Sequence, residues 1–283
     1  MNFDPRITPA RPDLAASFLE GKISAARYVA GELREVVDPS APVRREPRPD
    51  ASLDTEALKG ERVTIYETNE EGWAWGQLAK DGYVGWLPAN ALMAPGPEPT
   101  HRVAALRTPI LSGPSIKMPT LEMISFGGVL AILREEGRFG VTANGCYVPL
   151  MHLAPVQAVE KDFVAVAERF LGVPYVWGGK TSLGLDCSGL VQVSLNACGV
   201  GCPRDSYMQE GALGKAVDPG ADFSGLKRGD LVFWKGHVAI ARDETHFLHA
   251  NGFHMAVAIE PVRETIVRFA KEGTPVRAVR RLM

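Results

Sequence analysis

One segment, L-D-C-S-G-L-V-Q at residues 185–192, constrains the fold and chemistry of this chain more than any other. It follows a glycine-rich loop, W-G-G-K-T-S-L-G at residues 177–184, and opens an apolar run. Asp186 suits the N-cap of a helix and Gly199 suits its C-terminal end, so the segment predicts a loop followed by a helix with Cys187 in its first turn. The unpaired N–H groups and the dipole at a helix start favour a thiolate, so we expect a lowered pKa for Cys187. The alternative is a small buried side chain that merely begins the helix.

Two histidines further along the chain could supply the base that a cysteine nucleophile needs. His237 and His249 lie in two apolar segments that read as consecutive strands. A hairpin centred on Asp243 would place the two rings directly opposite each other on one face, whereas a slip of one residue would separate them. Two half-buried strand histidines without a catalytic role are the alternative. A zinc site built from His246, His249 and His254 is disfavoured because His246 would face away from His249, and no metal or other cofactor is expected.

Turn signals and strand patterns divide the chain into four segments. Asp81–Gly82 is a strong hairpin signal, and Asn144–Gly145 repeats it in a weaker copy of the same strand pattern, which predicts two small β-barrels in tandem. The last part of the chain has a helix first and antiparallel strands afterwards, which is an α+β order. The predicted segments are an N-terminal helical arm at residues 1–37, a first barrel at 38–96, a second barrel at 97–156 and an α+β domain at 157–283.

The charge of the chain excludes two classes of partner. Its 31 Lys and Arg residues nearly balance 33 Asp and Glu residues, with the two signs mixed, so neither a nucleic acid nor a membrane surface is indicated. No apolar run approaches the roughly 20 residues that a membrane helix needs. The start of the chain, M-N-F-D-P-R, lacks the basic residues and apolar core of a secretory signal, and the four cysteines suit a reducing compartment. We therefore expect a cytoplasmic monomer.

Several motifs occur together in the second half of the chain. They are P-Y-V-W-G-G at 174–179, D-C-S-G-L-V at 186–191, G-D-L-V-F-W at 229–234, G-H-V-A-I at 236–240 and H-A at 249–250. In this order, over about residues 160–283, they resemble the NlpC/p60 family of bacterial cell-wall cysteine peptidases. The resemblance implies a papain-like core with Cys187 as nucleophile, His237 as base and acid, and His249 as the residue that orients His237. It also makes the Tyr175 hydroxyl a candidate donor to the oxyanion, beside the backbone N–H of Cys187.

The barrels resemble bacterial SH3-like domains, the first more clearly than the second. SH3-like domains ahead of this core resemble the enzymes that cleave short muropeptides between γ-D-glutamate and a diamino acid. In such enzymes the first SH3-like domain closes the cleft around a free N-terminal L-alanine. The resemblance implies a set of substrate-binding residues, namely Asp205, Ser206, Ser188, Arg204, Tyr83 and Glu46.

In this set Asp205 would pair with the ammonium group of the substrate. A buried ammonium is costly unless it is paired, so the site would reject peptides whose alanine is acylated. Alternatives remain for these positions: a turn with local side-chain caps for Arg204, Asp205 and Ser206, and surface barrel residues for Tyr83 and Glu46.

The sequence therefore predicts a cysteine peptidase that hydrolyses the γ-D-glutamyl–diamino acid bond of free muropeptides in peptidoglycan recycling. An exported hydrolase of intact peptidoglycan that binds the wall through its SH3-like domains is one alternative. A non-catalytic scaffold that binds peptides is another, and the same core also occurs in some acyltransferases. Fractionation, peptide assays and the reactivity of Cys187 distinguish them.

Overall fold

The computed structural model describes residues 3–282, which form two compact units, one ending at Ala158 and the other beginning at Val159. The expected boundary, after residue 156, lies two residues away. The described part of the first unit consists of strands and short 3₁₀ turns, and the second combines a six-stranded sheet with α-helices. The α+β class predicted for the second half is therefore confirmed. No helix among the described residues combines the length and the apolar character needed to cross a bilayer.

The N-terminal segment is not an α-helix, so the helical arm expected at residues 1–37 is wrong for its described part. Two short strands, β1 (Ala15–Ala16) and β2 (Tyr28–Val29), pair in parallel, and a 3₁₀ turn at Ser17–Leu19 follows the first of them. The apolar spacing that suggested a helix instead serves burial against the first barrel.

Burial against the first barrel explains why the segment does not form the helix that its apolar spacing suggests. Leu14 is fully buried and clusters with Tyr66 and Trp75 of the first barrel. Gly21 adopts a left-handed conformation with φ of +75°, which interrupts a helix at the point where the pattern was already weak. A short helix is marginal by itself, so tertiary packing decides the outcome.

The first barrel is a single seven-stranded sheet. Its strands are β3 (Glu32–Val36), β4 (Ser40–Arg44), β5 (Leu53–Leu58), β6 (Arg62–Thr68), β7 (Trp73–Leu78), β8 (Val84–Pro88) and β9 (Leu92–Met93). They are hydrogen-bonded in the order β5-β4-β8-β7-β6-β3-β9. The sheet thus begins at Glu32, inside the segment expected to be the arm, because β3 pairs with β6. The predicted turn at Asp81–Gly82 joins β7 and β8, with Gly82 at φ +75° as such a turn requires.

The second barrel has two sheets. Its strands are β10 (His101–Val103), β11 (Arg107–Leu111), β12 (Thr120–Ser125), β13 (Val129–Leu130), β14 (Ile132–Glu136), β15 (Phe139–Thr142), β16 (Tyr147–Pro149) and β17 (Leu153–Pro155). The orders are β13-β10-β17 and β12-β11-β16-β15-β14. Asn144–Gly145 joins β15 to β16, so the predicted repeat of the hairpin is present. The Lys59 ammonium pairs with the Glu122 carboxylate at 2.6 Å, which links the two barrels within one unit.

The second unit carries the segments with chemical motifs. Its helices are α1 (Phe163–Glu168), α2 (Cys187–Ala197), α3 (Ser206–Ala212) and α4 (Val262–Lys271). Its strands are β18 (Lys180–Thr181), β19 (Gly184–Leu185), β20 (Lys215–Ala216), β21 (Leu231–Trp234), β22 (His237–Ala241), β23 (His246–Asn251), β24 (Ala256–Pro261) and β25 (Ala278–Arg281). The large sheet has the order β20-β25-β21-β22-β23-β24, and α2 packs against β22 and β23.

The β22–β23 hairpin has a register that differs from the expected one. Ile240 pairs with Leu248, not with His246, so the strands are shifted by two residues and His237 is not directly opposite His249. Because side chains alternate between the faces of a strand, a shift of two residues keeps both rings on the same face. The prediction of a shared face therefore survives an error in the register.

Helix α4 was missed by the sequence analysis. Its apolar side chains Val262, Ile266 and Phe269 recur at helical spacing and pack into the core of the sheet, beside Trp234 and Phe247. This helix covers the face of the sheet that carries the two histidines, and it therefore contributes to the site.

Candidate active site

Cys187 is the first residue of α2, and Asp186 is the N-cap, as the sequence predicts. One Asp186 oxygen, Oδ1, accepts a hydrogen bond from the backbone N–H of Gly189 at 2.7 Å, and Oδ2 accepts one from Gly178 at 2.9 Å. A Cβ atom at Gly189 would lie 2.3 Å from the Gly179 carbonyl oxygen, so only glycine allows the loop to approach the helix this closely. The carboxylate thus fastens the glycine-rich loop to the start of the helix and fixes the position of the cysteine.

Arg204 is the buried cationic partner of the Asp186 carboxylate. Its guanidinium donates to both Asp186 oxygens, at 2.9 and 2.7 Å, and also to Ser188 Oγ at 2.9 Å. Arg204 is only 1% exposed and Ser188 only 5% exposed. The substrate contacts expected for these two residues stay a prediction. In the structure Arg204 pairs with the buried Asp186 carboxylate, which needs a bidentate cationic partner.

The Cys187 thiol is not stabilised as an anion in the resting structure. Burial raises the pKa of Cys187 to about 12, and the neighbouring Asp186 carboxylate adds to the rise. The backbone N–H groups of Val238 and Ser188, together with Arg204, oppose it without overcoming it. The lowered pKa expected from the helix start is thus wrong in direction, because desolvation of the sulfur exceeds the effect of the helix dipole.

His237 lies at the start of β22, next to the Val238 N–H that contacts the Cys187 sulfur. Its Nε2 is 2.8 Å from Nδ1 of His249 on β23, so the two rings predicted to share a face are hydrogen-bonded. Burial and the neighbouring His249 hold the pKa of His237 well below its ordinary value, and burial also lowers the pKa of His249. His237 is therefore neutral at pH 7 and able to accept a proton.

Aromatic side chains hold the His237 ring in place. The ring stacks on Phe269 of α4, with centroids 5.1 Å apart and an interplanar angle of 25°. Trp234, at the end of β21, stacks on the same phenylalanine at 4.7 Å and lies 5.7 Å from His237. These contacts restrict the imidazole to one orientation and exclude water from its sides.

A carboxylate behind His249 was missed by the sequence analysis. Glu260 on β24 is 4% exposed, and its Oε2 lies 3.1 Å from His249 Nε2. The signal that could have found it is the β23–β24 pairing, in which Phe247 opposes Glu260 and His249 opposes Ala258, so Glu260 shares the face of His249. Sequence alone does not reveal that pairing.

Tyr175 lies close to the nucleophile. It forms a bridge with Leu185, two residues before Cys187. Burial raises the pKa of Tyr175 above its ordinary value, and the nearby Cys187 and Asp186 contribute to the rise. The phenol is therefore protonated and can donate a hydrogen bond, which suits the oxyanion role expected for it.

Asp205 and Ser206 lie at the start of α3, with Asp205 as the residue before its first turn and Ser206 as its first residue. Both are half-buried, in contrast to their neighbour Arg204. In the segment Arg204–Asp205–Ser206, the side chains of Asp205 and Ser206 are partly exposed and could contact a substrate. Their substrate role stays a prediction.

Tyr83 and Glu46 belong to the first unit. Tyr83 is buried in the core of the first barrel, and its hydroxyl accepts a hydrogen bond from Arg6 at 2.5 Å. Glu46 is exposed and pairs with Arg48 at 2.9 Å. The role expected for these two residues at the amino end of a substrate also stays a prediction.

The three histidines considered for a metal site do not form a common ligand set, although His249 and His254 both contact Glu260. His246 lies on the opposite face from His249 and bonds to Asp243, and His254 bonds to Asn251. No group of three potential metal-ligating side chains was found within residues 3–282.

Two family models match the chain. The bacterial dipeptidyl-peptidase SH3 domain matches residues 43–92, and the NlpC/P60 family matches residues 172–271. The first match lies within the first barrel, and the second spans Cys187, His237 and His249.

Curated relatives extend over both units. A γ-D-glutamyl-L-lysine dipeptidyl-peptidase from Bacillus subtilis is 31% identical over 252 residues, covering 81% of this chain and 81% of that protein. A dipeptidyl-peptidase 6 from Lysinibacillus sphaericus is 27% identical, over 73% of this chain and 83% of its own length. The crystal structure of an NlpC/P60 family protein from Bacillus cereus superposes with a TM-score of 0.74 at 22% identity, covering 88% of this chain and 99% of that one, so the folds agree. On the motifs, the fold and these matches, the chain belongs to the NlpC/P60 family and carries an SH3 domain of the bacterial dipeptidyl-peptidase type.

Proposed function

We propose that the chain is a cysteine peptidase that hydrolyses the γ-D-glutamyl–diamino acid bond of free muropeptides with an unblocked N-terminal L-alanine. The observation that carries the proposal is the hydrogen bond of 2.8 Å between His237 and His249, beside a cysteine at the start of α2. The names of the full-length relatives, γ-D-glutamyl-L-lysine dipeptidyl-peptidase and dipeptidyl-peptidase 6, support the bond and the substrate class.

The chemistry follows from a neutral thiol beside a neutral imidazole. As the Cys187 sulfur attacks the γ-carbonyl carbon, its proton passes to His237, and the carbonyl oxygen becomes an oxyanion. The Cys187 N–H and the Tyr175 hydroxyl would stabilise this oxygen. The imidazolium of His237 then protonates the departing amine of the diamino acid, the C–N bond breaks, and a thioester remains.

Water completes the cycle. His237 takes a proton from the attacking water, the thioester carbon–sulfur bond breaks, and the proton returns to the Cys187 sulfur. The products are L-Ala-γ-D-Glu and a peptide or amino acid with a free amino group.

Asp205 would select the free amino end. A carboxylate at the half-buried start of α3 suits an ammonium, whereas an acylated alanine offers no charge to pair with it. Because peptides with free L-alanine arise when wall peptides are recycled, the proposal includes a cytoplasmic location.

The test is an assay of the full chain on L-Ala-γ-D-Glu-L-Lys, L-Ala-γ-D-Glu-diaminopimelate and their N-acetylated forms. We expect release of L-Ala-γ-D-Glu from the free peptides only, and no release by Cys187→Ser. No cleavage of any peptide, or full activity of Cys187→Ser, would overturn the proposed reaction. Equal rates on free and acetylated peptides would overturn the role of Asp205. Asp205→Asn checks it directly, with Asp218→Asn, an exposed aspartate that accepts a local hydrogen bond from Gly220, as control. Cell fractionation tests the location.

A further inference from the structure

Glu260 lies in a buried position that connects the histidine pair to helix α4. Its Oε2 receives three polar contacts, from His249 Nε2 at 3.1 Å, from Thr265 Oγ1 at 2.9 Å and from the Arg268 guanidinium at 2.6 Å. Its Oε1 lies 2.9 Å from Nδ1 of His254. Thr265 is fully buried, so the carboxylate is held by groups that cannot readily move away.

These contacts keep the carboxylate ionised. Burial alone would raise the pKa of Glu260, but the hydrogen bonds from His249 and Arg268 prevail and hold it well below its ordinary value. An ionised carboxylate has no hydrogen to donate and can only accept.

The ionised state of Glu260 determines where the protons of both histidines lie. Since Glu260 can only accept, Nε2 of His249 must carry the proton in their hydrogen bond. A neutral His249 then has a bare Nδ1, which accepts the hydrogen from Nε2 of His237 at 2.8 Å. Neutral His237 with its proton on Nε2 has its lone pair on Nδ1, which is the atom that a base must present to a thiol.

We propose that Glu260 is a positioning residue that fixes the tautomer of His249 and, through it, keeps Nδ1 of His237 unprotonated and ready to accept the proton of Cys187. The proposal rests on the proposed function for its catalytic consequence, but the proton positions are independent of any substrate. Glu260 does not touch the reacting atoms, so its effect is on the rate of chemistry and not on substrate binding.

Two substitutions distinguish the effect of the acceptor oxygen of Glu260 from the effect of filling its buried position. Glu260→Gln retains an oxygen, which three donors around the Oε2 position will select, so it should preserve the tautomers. Glu260→Met has a similar length but offers no strong acceptor, so His249 is free to carry its proton on either nitrogen. Glu168→Gln is the matched control. Glu168 is the last residue of helix α1, and it too pairs with an arginine, Arg242 at 2.7 Å, but it has no contact with His237 or His249 among the hydrogen bonds described.

The first measurement is nitrogen-15 NMR of the six histidines in the full chain, since the two ring nitrogens have distinct shifts in each tautomer. We expect Nε2–H forms of His237 and His249 in the wild type, in Glu260→Gln and in Glu168→Gln, and mixed tautomers in Glu260→Met. An Nδ1–H form of His249 in the wild type, or unchanged tautomers in Glu260→Met, would overturn the proposal.

The second measurement is the steady-state rate on L-Ala-γ-D-Glu-L-Lys. We expect kcat to fall about 100-fold in Glu260→Met with KM unchanged, a loss within the range that general-base catalysis supplies, and to fall less than about tenfold in Glu260→Gln. Equal loss in both variants would assign Glu260 a merely structural role and overturn the proposal. If Glu260→Met does not fold, the tautomers of the wild type decide the proposal, because an Nδ1–H form of His249 there would overturn it. A wild type that shows the expected tautomers but cleaves no peptide would refute the proposed function and leave the positioning role intact.

Discussion

The nucleophile and the base of this site are each backed by a buried carboxylate–arginine pair, but the two pairs differ in what the carboxylate faces. Asp186 faces backbone N–H groups and Arg204, which is 1% exposed, so its surroundings have no group that changes charge near neutral pH. Glu260 faces His249 and a more exposed arginine, Arg268. The Asp186–Arg204 pair therefore fixes the position of the nucleophile, whereas the Glu260–Arg268 pair contacts His249, which is hydrogen-bonded to the base His237.

The difference has an electrostatic consequence for the reaction. The Asp186 carboxylate adds to the burial that raises the pKa of Cys187, whereas the Glu260 carboxylate acts to raise the pKa of His237, against the larger effect of burial. The resting site is therefore a neutral thiol beside a neutral imidazole, and Glu260 is the neighbour that favours a charge on the imidazole. Charge separates only when attack on the substrate moves the negative charge onto the carbonyl oxygen.

The largest expected effect comes from breaking the pair behind the nucleophile. Arg204→Met should lower the free energy of unfolding of the second unit by about 3–5 kcal/mol, because it leaves the Asp186 carboxylate buried without its cation. Arg268→Met is the comparison and should cost less, since Arg268 is partly exposed and Glu260 keeps His249 and Thr265 as donors.

Urea denaturation of the full chain, followed by pulsed alkylation of the buried thiol of Cys202, reports on the second unit alone. Equal losses in the two variants would show that the pairs do not differ as the structure indicates.

The second expected effect concerns the ionisation of Cys187. With a pKa of about 12, the thiolate fraction rises about tenfold per pH unit, so alkylation of Cys187 should accelerate about 1,000-fold between pH 7 and pH 10 without a plateau. Mass spectrometry of the peptide that contains Cys187 measures the rate, and Cys187→Ser identifies the signal. A plateau below about pH 8 would instead reveal a thiolate–imidazolium pair at rest.

A third buried pair, away from the histidines, tests whether such pairs stabilise the fold without influencing catalysis. Arg281 donates to both oxygens of Asp230, which is fully buried, at 2.7 and 2.6 Å. Arg281→Met should cost about 1–3 kcal/mol of unfolding free energy, which is less than Arg204→Met because Arg281 is about one third exposed. The kcat of Arg281→Met on L-Ala-γ-D-Glu-L-Lys should equal that of the wild type. A fully folded variant with a reduced kcat would show that this pair also influences catalysis.

The parts of this site that sequence predicts are those set by short-range physics. An N-cap acts within three residues, so Asp186, Cys187 and the start of α2 could be located correctly. The shared face of His237 and His249 depends only on the alternation of side chains, and it withstood a register error of two residues.

The parts that sequence did not predict depend on contacts between distant segments. The ion pair between Arg204 and Asp186 is one such contact, because nothing local indicates that two residues 18 positions apart are partners. The pKa of Cys187 was expected in the wrong direction because a helix start is visible in a sequence and burial of the sulfur is not. The N-terminal segment was expected to be helical because its apolar spacing does not reveal the barrel surface that buries Leu14.

The smallest expected effect concerns the turn that sets the register of the histidine hairpin. Asp243 Oδ1 accepts hydrogen bonds from the backbone N–H groups of Thr245 and His246, both at 2.8 Å, and from the Thr245 hydroxyl at 2.7 Å. Despite partial burial, these bonds lower the pKa of Asp243 to about 2, below its ordinary value of 3.8. Because the folded pKa is the lower one, the stabilisation is complete above about pH 4 and is lost as the pH falls towards 2.

Asp243→Asn should therefore reduce the free energy of unfolding at pH 7 by less than about 1 kcal/mol, since the side chain is about one third exposed. The difference between variant and wild type should shrink as the pH falls from 4 to 2, measured by urea denaturation of the full chain followed by circular dichroism. Glu244→Gln, at the neighbouring turn position, is the matched control and should show no such change. If the gap between Asp243→Asn and the wild type stays constant over this range, the carboxylate does not hold the turn through its charge. The register that brings His237 to His249 would then depend on strand pairing alone. In that case the surroundings of the base, like those of Cys187, would hold their geometry without a charge-dependent contact at the turn.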